Sequence, residues 1–164
     1  GKIWAESALK VGTKISFSLP KHTADELFTE YVANGLKKLS KEKPSLSVIG
    51  FDIKNLGGRV EPGPGGDDAA SLAADDLETL LRRKIRCESD EVVQSNELLL
   101  MLLPGVKKED AIIVSERIRN VFARYLAKKG WEKKINIACA VFNYPDDGWN
   151  EDELVGKILG IKTG

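Results

Sequence analysis

The sequence is poor in the residues that most catalytic and metal sites are built from. Among 164 residues it has one histidine and two cysteines. The lone His22 has no identifiable Ser or Cys partner, which argues against a nucleophile–base triad, and its place just before a helix reads as an exposed lead-in. Cys87 and Cys139 lie far apart, and neither has a second Cys or a His at metal-ligand spacing. They read as two reduced thiols, with Cys139 as a small core residue. No signal-peptide pattern is visible, and no apolar run approaches the length of a membrane span. The longest run, Leu98 to Leu103, is strand-sized. A cytoplasmic setting without membrane insertion is the expectation. Charge of one sign is also missing: 25 Lys and Arg balance 25 Asp and Glu. A neutral chain lacks the basic footprint of a nucleic-acid binder. The local stretch of Lys37, Lys38, Lys41 and Lys43 reads as a solvated helix end, where cations suit the dipole.

What is present is the composition of an ordinary α/β domain. Hydrophobic residues make up 42% and charged residues 30%, and the length fits one domain with a real core. The expectation is a single domain over 1–164, part of a larger signalling protein. Residues 13–19 alternate and read as a short strand or an extended lead-in. Thr23 and Glu26 form a capping box, and Leu27, Phe28, Tyr31, Val32, Leu36 and Leu39 place a helix near 24–39. Leu46 to Ile53 reads as a buried strand ending in Asp52-Ile53-Lys54. Residues 57–66 hold five glycines and two prolines and read as a loop. Asp67 and Asp68 then open a second helix, with Ala69, Ala73, Leu77, Leu80, Leu81 and Ile85 as its stripe.

A hairpin follows. Glu91 to Val93 is one arm, Gln94-Ser95-Asn96 the tip, and Glu97 to Leu103 the other arm, because Asn tolerates the left-handed backbone of tight turns. A third helix runs over 109–129, with Ala111, Ser115, Ile118, Phe122 and Tyr125 on one face. A strand over 135–142 comes next. Asn150 and Glu153 cap a last helix carrying Leu154, Val155, Ile158 and Leu159. The interleaved order predicts an α/β (α+β) fold with a central, mainly antiparallel sheet flanked by helices. It also predicts that the hairpin tip lies beside the strand end carrying Asp52.

Order and spacing over about residues 20–160 resemble the GGDEF (diguanylate cyclase) family, whose fold is of the nucleotidyl-cyclase palm type. Leu46 to Asp52 is similar to the family's first core strand, which ends in an Asp. Gly66-Asp67 resembles its Gly-Asp helix start. Leu99 to Gly105 resembles the apolar strand and Pro after the signature. Glu116-Arg117-Ile118-Arg119 resembles the helix that follows. Asn136 to Ala140, with Tyr144-Pro145-Asp146-Asp147-Gly148, resembles the late strand and its turn. Leu19-Pro20 faintly echoes an N-terminal Leu-Pro motif. The resemblance implies bacterial signal transduction through cyclic di-GMP, made from two GTP molecules with a divalent metal.

The signature itself departs from the family pattern. Gly-Gly, two acidic residues and Phe are replaced by Gln94, Ser95, Asn96, Glu97 and Leu98. Glycines let a backbone approach a ligand, whereas Gln94 and Ser95 bring side chains. Asn96 is neutral where an acid is expected. Asp52 and Glu97 match the metal-binding acids, but Lys54 stands where a second acid is usual. Both carboxylates also fit a plainer reading as solvated strand ends, and the two readings stay open at this point. Asp67 lies near the position of a guanine-contacting Asp. Arg86 and Asp90 are the remnant of an inhibitory Arg-x-x-Asp motif, one residue too far apart. Gly65-Gly66-Asp67-Asp68 imitates a signature but precedes a helix, and no Gly-Lys-Ser/Thr follows to make a phosphate loop.

Two functions compete. One is a non-catalytic regulatory module acting through a protein partner or neighbouring domain, or through weak binding of GTP or cyclic di-GMP, with no cofactor of its own. The other is a palm-type cyclase or nucleotidyl transferase using Asp52 and Glu97 with Mg²⁺. Family members often work as dimers, so a homodimer is compatible with either.

Overall fold

The computed structural model describes residues 2–8, 12–18, 23–42, 44–56, 69–85, 87–148 and 150–160. The elements in chain order are β1 (Lys2–Ala8), β2 (Gly12–Ser18), α1 (Ala24–Lys37), β3 (Leu46–Asn55), α2 (Ala69–Arg82), β4 (Glu91–Ser95), β5 (Leu98–Pro104), α3 (Lys108–Lys129), β6 (Ile135–Tyr144) and α4 (Glu151–Leu159). The expected mixed fold is what forms. Four strands make a wholly antiparallel sheet in the order β4-β5-β3-β6.

Local signals account for most helix ends. Thr23 and Glu26 make the reciprocal capping box of α1, and the Asn150 side chain accepts from the Glu153 N–H at the start of α4. Gly130 ends α3 in the left-handed conformation, φ 68°, which glycine adopts without a Cβ clash. Helix α1 stops two residues short of its expected end, and Ile85 lies beyond α2 while still packing on the core. The loop 57–66 and Asp67 and Asp68 lie outside the described residues.

The sheet is covered on both faces. Ile49, Phe51 and Ile53 of β3 face one cluster beneath α2 and α3. Leu46 and Val48 alternate onto the other face, beneath α1 and α4. Double coverage explains why β5 reads as an unbroken apolar run rather than an alternation: all seven of its residues are buried. Phe51 meets Phe122 of α3 edge-to-face, ring centroids 5.1 Å apart, tying the central strand to its covering helix.

One buried polar network fastens the end of the sheet opposite Asp52. Asn143 of β6 donates from Nδ2 to Ser47 Oγ of β3 at 2.8 Å, and Ser47 Oγ donates to the Val106 carbonyl at 2.8 Å. The Asn143 N–H donates to Asp147 Oδ2 at 2.9 Å, and Lys108 Nζ donates to Asp147 Oδ1 at 2.7 Å. Partial burial pushes the Asp147 carboxyl up, but the Lys108 hydrogen bond, the Asn143 N–H and the charges of Lys108 and Lys157 outweigh it and hold the group below the ordinary aspartate range.

Two differences from the sequence reading concern strands. β1 is not among the predicted elements. It pairs with β2, so residues 13–18 form a hairpin arm rather than a lead-in. Cys139 is only partly buried, at the rim of the core; burial is the larger influence and raises its thiol pKa, against the nearby Arg119 and a Ser115 hydrogen bond.

Phe122→Ala should destabilise the protein by about 3–5 kcal/mol in urea unfolding, whereas exposed Leu72→Ala should change it by less than about 1 kcal/mol. Asp147→Asn should remove about 1–2 kcal/mol at neutral pH. Because the folded carboxyl titrates below its unfolded value, that contribution is present above about pH 4 and fades as pH falls further. Unfolding midpoints of the two proteins should therefore converge in acid.

Candidate functional site

Strand β3 is hydrogen-bonded on both sides and carries Asp52 near its end, opposite Leu98 of β5 and Ala138 of β6. The β4–β5 hairpin turns at the same end. Its turn is the pair Asn96-Glu97, between Ser95 and Leu98. This corrects the expected tip of Gln94 to Asn96: Gln94 and Ser95 belong to the ladder of β4, and Glu97 is in the turn rather than in the arm. Asn96 has φ 54°, the left-handed conformation that a short polar side chain tolerates. The Ile53 N–H donates to the Glu97 carbonyl at 3.0 Å. The turn therefore lies beside the Asp52 end of β3, as the sequence reading expected.

Residues two apart on a strand share a face, so Asp52 and Lys54 point the same way, with Leu98 and Leu100 of β5. Asp52 is 3% exposed, which overturns the reading of a solvated strand end. Its Oδ2 lies 2.9 Å from Lys54 Nζ. That oxygen has no aligned hydrogen-bond donor, so the contact is an ion pair of close charges. Lys54 reaches it with a head group still partly in water, as long amphipathic side chains do. Glu97 is half-buried.

The remaining expected site residues are scattered. Gln94 turns to the opposite face, where its Nε2 donates to Asp75 Oδ1 of α2 at 2.7 Å and to the Asn96 carbonyl at 3.1 Å. It clamps the turn to the helix instead of filling space above Asp52. Ser95 is the last residue of β4, opposite buried Leu98. Asp90 precedes β4, at the other end of that strand from the turn, and borders a groove between α2 and α3 with Lys84 and Arg117. Asp67 and Arg86 lie outside the described residues. Asp75 and Arg82 went unnoticed in the sequence. Arg82 Nη2 donates to the Val92 carbonyl at 2.9 Å, and together they fix α2 along the β4 edge. Their only sequence signal is that of exposed helix residues.

A divalent metal ion is what the family resemblance implies at Asp52. The described residues do not fit one. Asp52 Oδ2 already lies against the Lys54 ammonium, and among the described residues no three His, Cys, Asp or Glu side chains gather as a metal-ligand group.

No protein-family model and no curated protein sequence matches the chain. A solved structure does: the crystal structure of a DGC protein from Thermotoga maritima, with a TM-score of 0.56 at 19% identity, covering 82% of this chain and 88% of that one. The fold is GGDEF-like. At that identity the likeness concerns the backbone alone.

The ion pair can be weighed by a double-mutant cycle. Lys54→Met, which leaves the Asp52 carboxylate buried alone, should destabilise by about 1–3 kcal/mol. Adding Asp52→Asn to Lys54→Met should recover most of that loss in the same urea titration.

Proposed function

We propose that this chain is a non-catalytic regulatory module on a GGDEF-like frame, working through contact with a partner protein or a neighbouring domain rather than through turnover of GTP. One observation carries the reading: the Lys54 ammonium, 2.9 Å from Asp52. Two unit charges about 4 Å apart interact by roughly 4 kcal/mol at an effective dielectric near 20, so the pair opposes a second, doubly charged cation. The hairpin turn supports the same reading. A turn that accepts a triphosphate closely needs small residues; here Gln94 and Asn96 are hydrogen-bonded to each other and Gln94 to α2. The DGC relative makes a nucleotide-handling ancestry a sensible expectation and gives the module its shape. On this reading the sheet persists as a rigid frame for contacts after the chemistry has gone.

The decisive measurement is chromatography of products after incubation with GTP and Mg²⁺ or Mn²⁺. No cyclic di-GMP is expected. The Gln94→Gly, Ser95→Gly, Asn96→Asp triple variant should stay inactive, because Lys54 still neutralises Asp52; adding Lys54→Asp should strengthen metal binding before it yields product. A GTP-dependent product from the unaltered chain, lost in Asp52→Ala, would overturn the proposal and restore the enzyme reading.

A further inference from the structure

Helices α2 and α3 cover the same face of the sheet but rest on different strands. α2 packs on β3, β4 and β5, and α3 on β3 and β6. The helices are tied at one place, where Tyr125 donates to Asp76 Oδ2 and Lys129 Nζ lies 3.4 Å from the same oxygen. Away from that tie, beside Arg117 of α3 and Lys84 just past the end of α2, a groove of about 450 Å³ opens between them. Its floor is Met101 and Leu103 of β5. Its walls are Leu81 on one side and Ile118 and Phe122 on the other. All five belong to the core cluster on that face. The volume lies within the range of small-ligand sites, about 300–1,000 Å³, which are apolar inside and carry a few well-placed polar groups.

The charged groups stand at the rim. Lys84 and Arg117 both border the groove and are exposed. Among the described residues neither forms an ion pair. Asp90 borders the same groove and has interactions of its own. Two positive groups beside one negative group leave a surplus of one positive charge at the mouth. An apolar interior with that surplus matches one chemistry, a single anionic head on an apolar chain. Arg presents a planar fork that fits a carboxylate, and Lys a mobile point charge. A nucleotide fits less well, because its sugar and phosphates would lose hydration against Leu, Ile and Phe side chains that return no hydrogen bond.

We infer that the groove between α2 and α3 binds an amphipathic monoanion of the medium-chain carboxylate class, its chain lying on Met101, Leu103 and Phe122 and its head between Lys84 and Arg117. Asp90 is also the acid of the remnant inhibitory motif. The ligand here is of another class, selected by the apolar interior and the two cations rather than by that acid. Asp90 precedes β4, at the other end of that strand from the hairpin turn, so the inference is independent of whether the Asp52 end turns over nucleotide.

Calorimetry and amide NMR of the full chain with hexanoate, octanoate and decanoate test it. The expected result is one saturable site, in the micromolar range for decanoate, with amide shifts concentrated at Met101, Leu103 and Ile118. Each methylene buried tightens binding by up to about fourfold, so affinity should rise at least about fivefold from hexanoate to octanoate and again to decanoate. Octylammonium, with a similar chain and the opposite charge, should bind about tenfold more weakly than octanoate. Lys84→Glu with Arg117→Glu, both at exposed positions, should reverse that preference while circular dichroism stays unchanged. The chain-length series on the unaltered protein decides even where the double variant fails to fold. Absence of saturable decanoate binding up to millimolar concentration would overturn the inference. So would many weak sites, the mark of a surfactant on exposed apolar surface, or equal affinity for octanoate and octylammonium. Displacement of decanoate by cyclic di-GMP at lower concentration would also overturn it, since the groove would then be a nucleotide site.

Discussion

The structure depends on burying β3 completely while hydrogen-bonding it on both sides. Eight consecutive residues, Leu46 to Ile53, are buried. A strand in that position must be apolar on both faces, and so must its neighbour β5. Two helices are then needed on each side, and the chain supplies them as α2 with α3 and α1 with α4. Two of the buried polar side chains along β3 have a partner close by. Ser47 has Asn143 and Val106 at one end, and Asp52 has Lys54 at the other.

That constraint connects fold to function. A carboxylate at the buried end of a central strand is costly unless paired or bound to a cation. In a metal-dependent site the cation is a metal ion. Here a lysine two residues along the same face takes that place. The pairing gives the buried Asp52 a close opposite charge from within the same strand. The turn beside it is stiffened in the same spirit, with Gln94 spanning from β4 to Asp75.

The sheet edges extend the argument outward. Burial governs the faces, while the edges are governed by backbone hydrogen bonding, and the two edges of this sheet differ in how they are closed. β4 is capped by its own helices. β6 is left uncharged and long, next to a groove lined by core residues. The hairpin that precedes α1 presents an exposed apolar face, carried by Ile3, Ile15 and Phe17.

Much of this was legible in the residues alone. Periodicity placed four helices, because a helix buried on one side must repeat its apolar residues every three to four positions. Unbroken apolar runs placed β3 and β5, and Thr23, Glu26 and Asn150 marked helix starts through side chains that reach only a few residues. The hairpin register was less legible: the turn lies at Asn96-Glu97 rather than Gln94 to Asn96, because pairing across strands, not turn propensity alone, chooses it. β1 was missed because its alternation becomes meaningful only once β2 is opposite. At the candidate site the sequence determined which residues stand at the end of β3, Asp52 and Lys54, and that Glu97 belongs to the hairpin beside it. It left open whether Lys54 would point at Asp52 or away, whether Asp52 would be wet or dry, and where Gln94 would reach. Those were decided by the tertiary structure, since burial and charge pairing depend on what packs above the strand, and that is set by residues tens of positions away in the chain.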